Sequence, residues 1–254
     1  TAALVTAGTL VVVSDATVTV SDADTTAIAA TVLSAIGAKT TGVVTVTNAI
    51  AITGTAAEVT AALVTAGSLV VVSDATVTVS DADSTALAAT VLSAIGAKTT
   101  GVVTVTNAVA ITGSAAEVTA ALVTAGSLVV VSDAAVTVSD ADSAPLTATA
   151  LSAIGAKTTG IVTVTNAVAI SGTATELTAA LVTSGSLVVV SDATVTVSDG
   201  DTTAIAATVL SGIGAKTTGT VTVTNAVAIT GTATEVTAAL VTAGTLVVVS
   251  DATV

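Results

Sequence analysis

One phrase limits what this chain can fold into. TAALVTAG begins at Thr1, Thr60 and Thr119, returns as TAALVTSG at Thr178, and begins again at Thr237, always at the same interval. Four copies, 1–59, 60–118, 119–177 and 178–236, and a partial fifth, 237–254, account for the whole sequence. Self-similarity at a fixed period of this size marks a stacked array, in which a unit too small to bury its own apolar face is completed by its neighbours. The sequence therefore predicts one continuous array over 1–254. Charge follows the same period: each copy carries one lysine (Lys39, Lys98, Lys157, Lys216) and four acids, Asp15, Asp22, Asp24 and Glu58 in the first.

Composition removes most chemistry. The 254 residues include no Phe, Tyr, Trp, Cys, Met, His, Arg or Gln. Thiol and imidazole nucleophiles, soft-metal ligands and aromatic stacking platforms are thus missing together, and the chain reads as a non-enzyme. With 17 acids against 4 lysines the net charge is -13, which repels phosphate backbones and anionic lipid and excludes nucleic acid as a partner. Thr, Ser, Asp or Gly interrupts every apolar run well before the roughly 18 to 20 residues that cross a bilayer, so no membrane insertion is expected.

Within a copy, Val44 and Val46 alternate with Thr45 and Thr47, and Ile50 and Ile52 with Ala51 and Thr53, the period of a strand with one buried face. Asn48 marks a bend between them. Leu10–Val13 and Thr17–Ser21 repeat the pattern on either side of Ser14–Asp15. After Gly54 the spacing becomes helical, with Val59, Leu63 and Ala66 on one face. Thr55 with Glu58, Ser114 with Glu117, Thr173 with Glu176 and Thr232 with Glu235 are capping boxes, and Gly67 is placed as a left-handed C-terminal residue. A second helix is predicted through Ile28, Val32 and Ile36, capped by Asp24 or a following Thr, ended by Gly37, and carrying Pro145 in its first turn in the third copy. Position 43 varies as Val43, Val102, Ile161 and Thr220 while Val44, Val103, Val162 and Val221 do not change, so the first is expected to face water and the second the core.

Each copy then reads as strand, strand, helix, strand, strand, helix: two coils of about 30 residues, the length of a solenoid turn. The predicted fold class is an α/β repeat solenoid of parallel strands with short Ala-rich helices, elongated and curved. Strands stack ~4.8 Å apart whereas helices need ~8 to 10 Å, so the helices must splay. A pure β-solenoid is the alternative.

The candidate site is the Asp-x-Asp turn. Asp22 with Asp24, Asp81 with Asp83, Asp140 with Asp142 and Asp199 with Asp201 place two hard oxygen ligands in one turn, with Asp15 as a third, and Ca²⁺ is the one cofactor such residues suit. The competing reading makes Asp22 a turn former and Asp24 a helix cap. Thr17 and Thr19, with Thr45 and Thr47, would form Thr columns in a stacked array, like those on ice-binding solenoids. Asn48, Asn107, Asn166 and Asn225 are expected in bends or an amide ladder, and Lys39 as a solvated charge in AKTTG.

The texture of VTVTNAIAITGTAAEVTAALVTAG and VTVSDADTTAIAATVLSAIGAKTTG, and within them GTAAEVTA and LSAIGAKTTG, resembles the giant, acidic, cysteine-free β-strand-repeat surface proteins of marine cyanobacteria. That resemblance covers the whole chain. It implies an extracellular, cell-surface location and a structural role as stalk, filament or surface-layer-like element, with a calcium-stabilised adhesin repeat or an ice-binding solenoid as the alternative. The partners it suggests are further copies of the repeat, in the same chain or end to end, and a cell-envelope surface reached through other domains. The sequence enters after its first capping box and stops inside a strand, which reads as a window on a longer array.

Overall fold

The computed structural model describes Val5 and residues 13–65, 70–124, 129–183, 188–242 and 247–254. The chain divides into two compact units: residues 1–111 with 120–134, and 112–119 with 135–254. Both are α/β, built from parallel strands of three or four residues alternating with helices of about two turns. The predicted positions Leu10–Val12, Ala66 and Gly67 lie outside the described residues.

The first unit runs β1 (Val18–Val20), β2 (Ala27–Ala29), α1 (Ala30–Gly37), β3 (Val44–Val46), β4 (Ala51–Gly54), α2 (Ala56–Leu63), β5 (Val70–Val72), β6 (Thr76–Val79), β7 (Ala86–Ala88), α3 (Ala89–Gly96) and β8 (Val103–Val105). After β9 (Ala110–Gly113) and α4 (Ala115–Leu122), β10 (Val129–Val131) completes it. Two parallel ladders take up most of these strands. One is β1-β3-β5, in the register Val18↔Val44↔Val70. The other is β2-β4-β6-β8-β10, which joins Ile28↔Ile52↔Val77↔Val103↔Val129. From β1 to β6 the chain alternates between the ladders, and a short helix joins β2 to β3, β4 to β5 and β7 to β8.

The second unit repeats this design with β11 (Ala135–Val138), β12 (Pro145–Thr147), α5 (Ala148–Gly155), β13 (Val162–Val164), β14 (Ala169–Gly172) and α6 (Ala174–Leu177), which runs into a π-helical turn at Thr178–Val182. β15 (Val188–Val190), β16 (Thr194–Val197), β17 (Ala204–Ala206), α7 (Ala207–Gly214), β18 (Val221–Val223), β19 (Ala228–Thr230), α8 (Ala233–Leu240) and β20 (Val247–Val249) follow. Its ladders include β11-β13-β15, β12-β14-β16-β18-β20 and β17-β19.

The core is where the alternation placed it. Val44, Val46, Ile50, Ile52, Val59 and Leu63 are buried, as are their described counterparts in the second and third copies. Val43, Val102 and Ile161 are exposed, whereas Val44, Val103 and Val162 are fully buried. A fully buried Leu such as Leu33 contributes roughly 2–3 kcal/mol. All four capping boxes form: Thr55, Ser114, Thr173 and Thr232 each accept from the backbone of the glutamate three residues on, and that glutamate accepts from the cap's own N–H.

The second helix differs from its prediction. Ile28 belongs to a strand, and the helix starts only at Ala30, with no side-chain cap; Leu33 and Ile36 carry its buried face. Ile28 with Val32 satisfies a helical spacing, but Ala27-Ile28-Ala29 also satisfies a strand spacing, and pairing with β4 decides between them. Pro145 consequently opens the edge strand β12 instead of a helix. It stands in register with Ala169 of β14, and it is tolerated because an edge strand leaves one side of its backbone unpaired, where a missing N–H costs no ladder bond. Gly37 is the last helical residue, and Ala38 continues in right-handed conformation, so no left-handed glycine ends α1. The step between paired strands, from Ile28 to Ile52, to Val77 and to Val103, is shorter than the predicted coil, because one copy holds five strands instead of four.

Candidate functional site

The Asp-x-Asp turn is built by a tight reversal. Thr26 N–H donates to the Ala23 carbonyl at 3.0 Å, and Thr25 takes a left-handed φ of 64°. Ser84, Ser143 and Thr202 repeat that conformation at 62°, 62° and 65°. The turn is locked to the following coil by three bonds: Thr25 N–H to the Ala49 carbonyl at 2.9 Å, Ala49 N–H to Asp24 Oδ1 at 3.2 Å, and Asn48 Nδ2 to the Asp22 carbonyl at 2.6 Å. Asn107, Asn166 and Asn225 make the same bond to Asp81, Asp140 and Asp199. The asparagines therefore tie bend to turn and form no amide ladder.

The two carboxylates of a turn reach in opposite directions along the chain. Asp81 Oδ2 accepts from Ala56 N–H at 2.6 Å, Asp140 Oδ2 from Ala115 N–H at 2.6 Å, and Asp199 Oδ2 from Ala174 N–H at 2.7 Å. Each of those alanines is the first residue of a helix 25 residues earlier. The acid thus adds a second cap beside the capping box, at the positive end of the helix dipole. Asp83, Asp142 and Asp201 accept from Ala108, Ala167 and Ala226 N–H, 25 residues later. Asp22 and Asp24 begin the series, and Asp24 makes the forward bond only. The pair staples three successive segments, and the capping partner lies on the preceding helix, not on the helix that follows Asp24. A calcium ion binding here would have to compete with these hydrogen bonds for the roughly six to eight oxygens it requires.

Asp15 does not join the pair. It lies at the opposite end of β1 from Asp22, where the Ser14 hydroxyl donates to its Oδ1 at 3.2 Å. Among the described residues, no three Asp or Glu side chains converge. At that end of the coil AKTTG clamps the earlier turn: Thr40 Oγ1 donates to the Ala16 carbonyl at 2.6 Å and Thr41 Oγ1 to the Ser14 carbonyl at 2.8 Å, while Lys39 is exposed. A Cβ on Gly42, Gly101 or Gly219 would overlap the carbonyl of Ala16, Ala75 or Ala193, so only glycine admits this approach.

The Thr columns exist over short spans. Thr19 stands beside Thr45, Thr53 beside Thr78 and Thr104, and Thr196 beside Thr222. Four ladders then end on an all-valine strand whose middle residue is about half exposed: Val71, Val130, Val189 or Val248. A groove in the second unit, lined by Thr175, Thr178, Thr183, Asp199 and Ala204, runs beside the edge strand β17, and its one carboxylate is the Asp199 already engaged with α6.

What sequence reasoning missed was the backward reach of the first Asp. The signal was present: Asp81, Asp140 and Asp199 each follow a capped helix start, Ala56, Ala115 and Ala174, at one constant distance. No helix among the described residues is long and apolar enough to cross a membrane. Compared with family models, curated proteins and solved structures, the chain matches none.

Proposed function

We propose that this chain is a structural repeat array: a continuous, elongated and curved α/β solenoid serving as the stalk, filament or surface-layer-like element of a giant extracellular protein, without catalytic activity. The observation that carries the reading is how the polar side chains are used. Asp, Asn and Thr side chains in each copy bind the backbone of a segment 24 to 27 residues away, so the groups that chemistry would need are spent on holding coil to coil. Cell-surface location follows from the likeness to the cyanobacterial surface repeats and from a disulfide-free acidic composition, which suits export of an unfolded chain.

Small-angle scattering on this chain and on a version with two further repeats inserted tests the reading. The expected result is a particle that lengthens in proportion to the repeats at constant cross-section. A radius that grows as a compact globule's would refute it. The Thr columns favour one second reading, an ice-binding surface, for which ice-crystal shaping by the folded chain is the measurement. A calcium-stabilised adhesin repeat is the other alternative, resting on the Asp-x-Asp turns; melting in calcium and in chelator separates it from the first.

A further inference from the structure

Among the described residues the second, third and fourth copies each start seven straight elements, five strands and two helices: β5, β6, β7, α3, β8, β9 and α4 in the second. A coil has three sides. β5, β6 and β7 follow one another and belong to three different sheets, as do β15, β16 and β17. Where a coil holds two strands, such as β3 and β4, a helix makes the third side, here α2. The helices come in neighbouring pairs, α1 packed on α2 in the first unit and α5 on α6 with its π-helical turn in the second. In the second unit a strand succeeds the pair on that side: Ala174, Thr175 and Thr178 of the helical segment line one groove with Ala204, Ile205 and Ala206 of β17. The ladders keep the same count. Ile28, Ile52, Val77, Val103 and Val129 stand 24, 25, 26 and 26 residues apart, and the ladder from Leu146 to Val247 repeats those steps. Seven elements fill two three-sided coils and leave one side over, so corresponding strands shift. β6 repeats the sequence position of β1 but stands in the ladder of β2, and β16 repeats that of β11 but stands in the ladder of β12.

We propose that every copy advances the array by one-third of a turn, so that each feature returns to its own side after three copies and seven coils. One side then carries two helices followed by five strands, which is the length of the ladders that start at β2 and at β12. This inference rests on the array reading and adds direction to it. The number of copies in a stalk sets the way its outer part faces as well as its reach. A partner that reads one side meets the same surface at every third copy. The splay that a helix pair forces on the stack moves to the next side with each copy, so the bend winds about the axis and does not close into an arc.

Lys39, Lys98, Lys157 and Lys216 occupy one position in the four copies, and all are exposed. The sequence has no Cys, so pairs of them can be replaced by spin-labelled cysteines in the whole chain, with an unchanged melting temperature as the control for folding. Pulsed electron resonance is expected to give like distances for K39C/K98C, K98C/K157C and K157C/K216C, each crossing from one side of the coil to the next. K39C/K216C is expected at about 34 Å, seven coils at ~4.8 Å each along one side, well short of those three distances added together. A K39C/K216C distance equal to that sum would put all four lysines in one line and overturn the one-third turn. Unlike distances for the three single-copy pairs would overturn it as well. Scattering from the same chain that lengthens with added repeats would in either case leave the array reading standing, so the two can fail separately.

Discussion

Thr25, Ser84, Ser143 and Thr202 hold left-handed backbone at the same turn in all four copies, and for a β-branched residue that conformation costs roughly 1–2 kcal/mol. The turn keeps it because the N–H of that residue must meet the carbonyl of the next coil, as Thr202 N–H meets Ala226 at 2.8 Å. Replacing Thr202 with Gly is expected to stabilise the protein by up to about 1 kcal/mol, after the added freedom of the unfolded glycine is subtracted. A raised urea midpoint would show it, and a lowered one would mean the threonine side chain contributes more than its strain removes. Asp140→Ala is expected to have the opposite sign, a loss of about 1–2 kcal/mol, because the first amide of α4 loses a charged acceptor. The capping boxes were legible because both partners sit within one helical turn. The aspartate caps were not, since their partners lie in another coil and depend on which coil comes to rest beside which.

Elements were legible in proportion to how unambiguous their spacing is. VTVTN and its copies alternate and nothing else fits them; the Val and Ile positions named from the alternation are the buried ones. Thr26-Ala27-Ile28-Ala29, by contrast, is too rich in alanine for its period to be read, and only Ile28↔Ile52 pairing makes it a strand. The exposed helix α8 allows a test by pH. Glu235 is held below the ordinary carboxylate range, first by the Thr232 backbone N–H and then by the Thr232 hydroxyl. A depressed folded-state value means that the box supports α8 fully above the ordinary glutamate range and releases it as pH falls through the lowered value. The protection of the Thr232 amide, its exchange rate relative to an unstructured chain at the same pH, should therefore fall on acidification through that window, and Glu235→Gln should flatten the response. A pH-independent protection of that amide in the native protein would disprove this linkage.

At the scale of the whole molecule, the period was plain from the sequence, but the step between paired strands was not, because one copy holds five strands, and three ladders share them. That arrangement decides how far a piece of the chain can stand alone. In an isolated copy 60–118, Asp81 would lose Ala56 and Ala115 would lose Asp140, so both aspartate caps that reach the copy are cut. Val70 and Val72 of β5 would lose Val44 and Val46, their partners in the ladder. The clamp of Thr99 on the Ala75 carbonyl and the tie of Asn107 to Asp81 would survive, since both partners fall inside the copy. Much of the coil-to-coil bonding therefore vanishes, and a unit of this size has little core to offset the entropy of ordering. A single copy is expected to unfold without a cooperative transition, two copies to show a weak one, and the urea midpoint and slope to climb with each repeat added, as nearest-neighbour stacking requires. If copy 60–118 alone melted as sharply and as late as the full chain, the repeats would be self-sufficient, and the dependence of each coil on its neighbour, on which the structural role depends, would be lost.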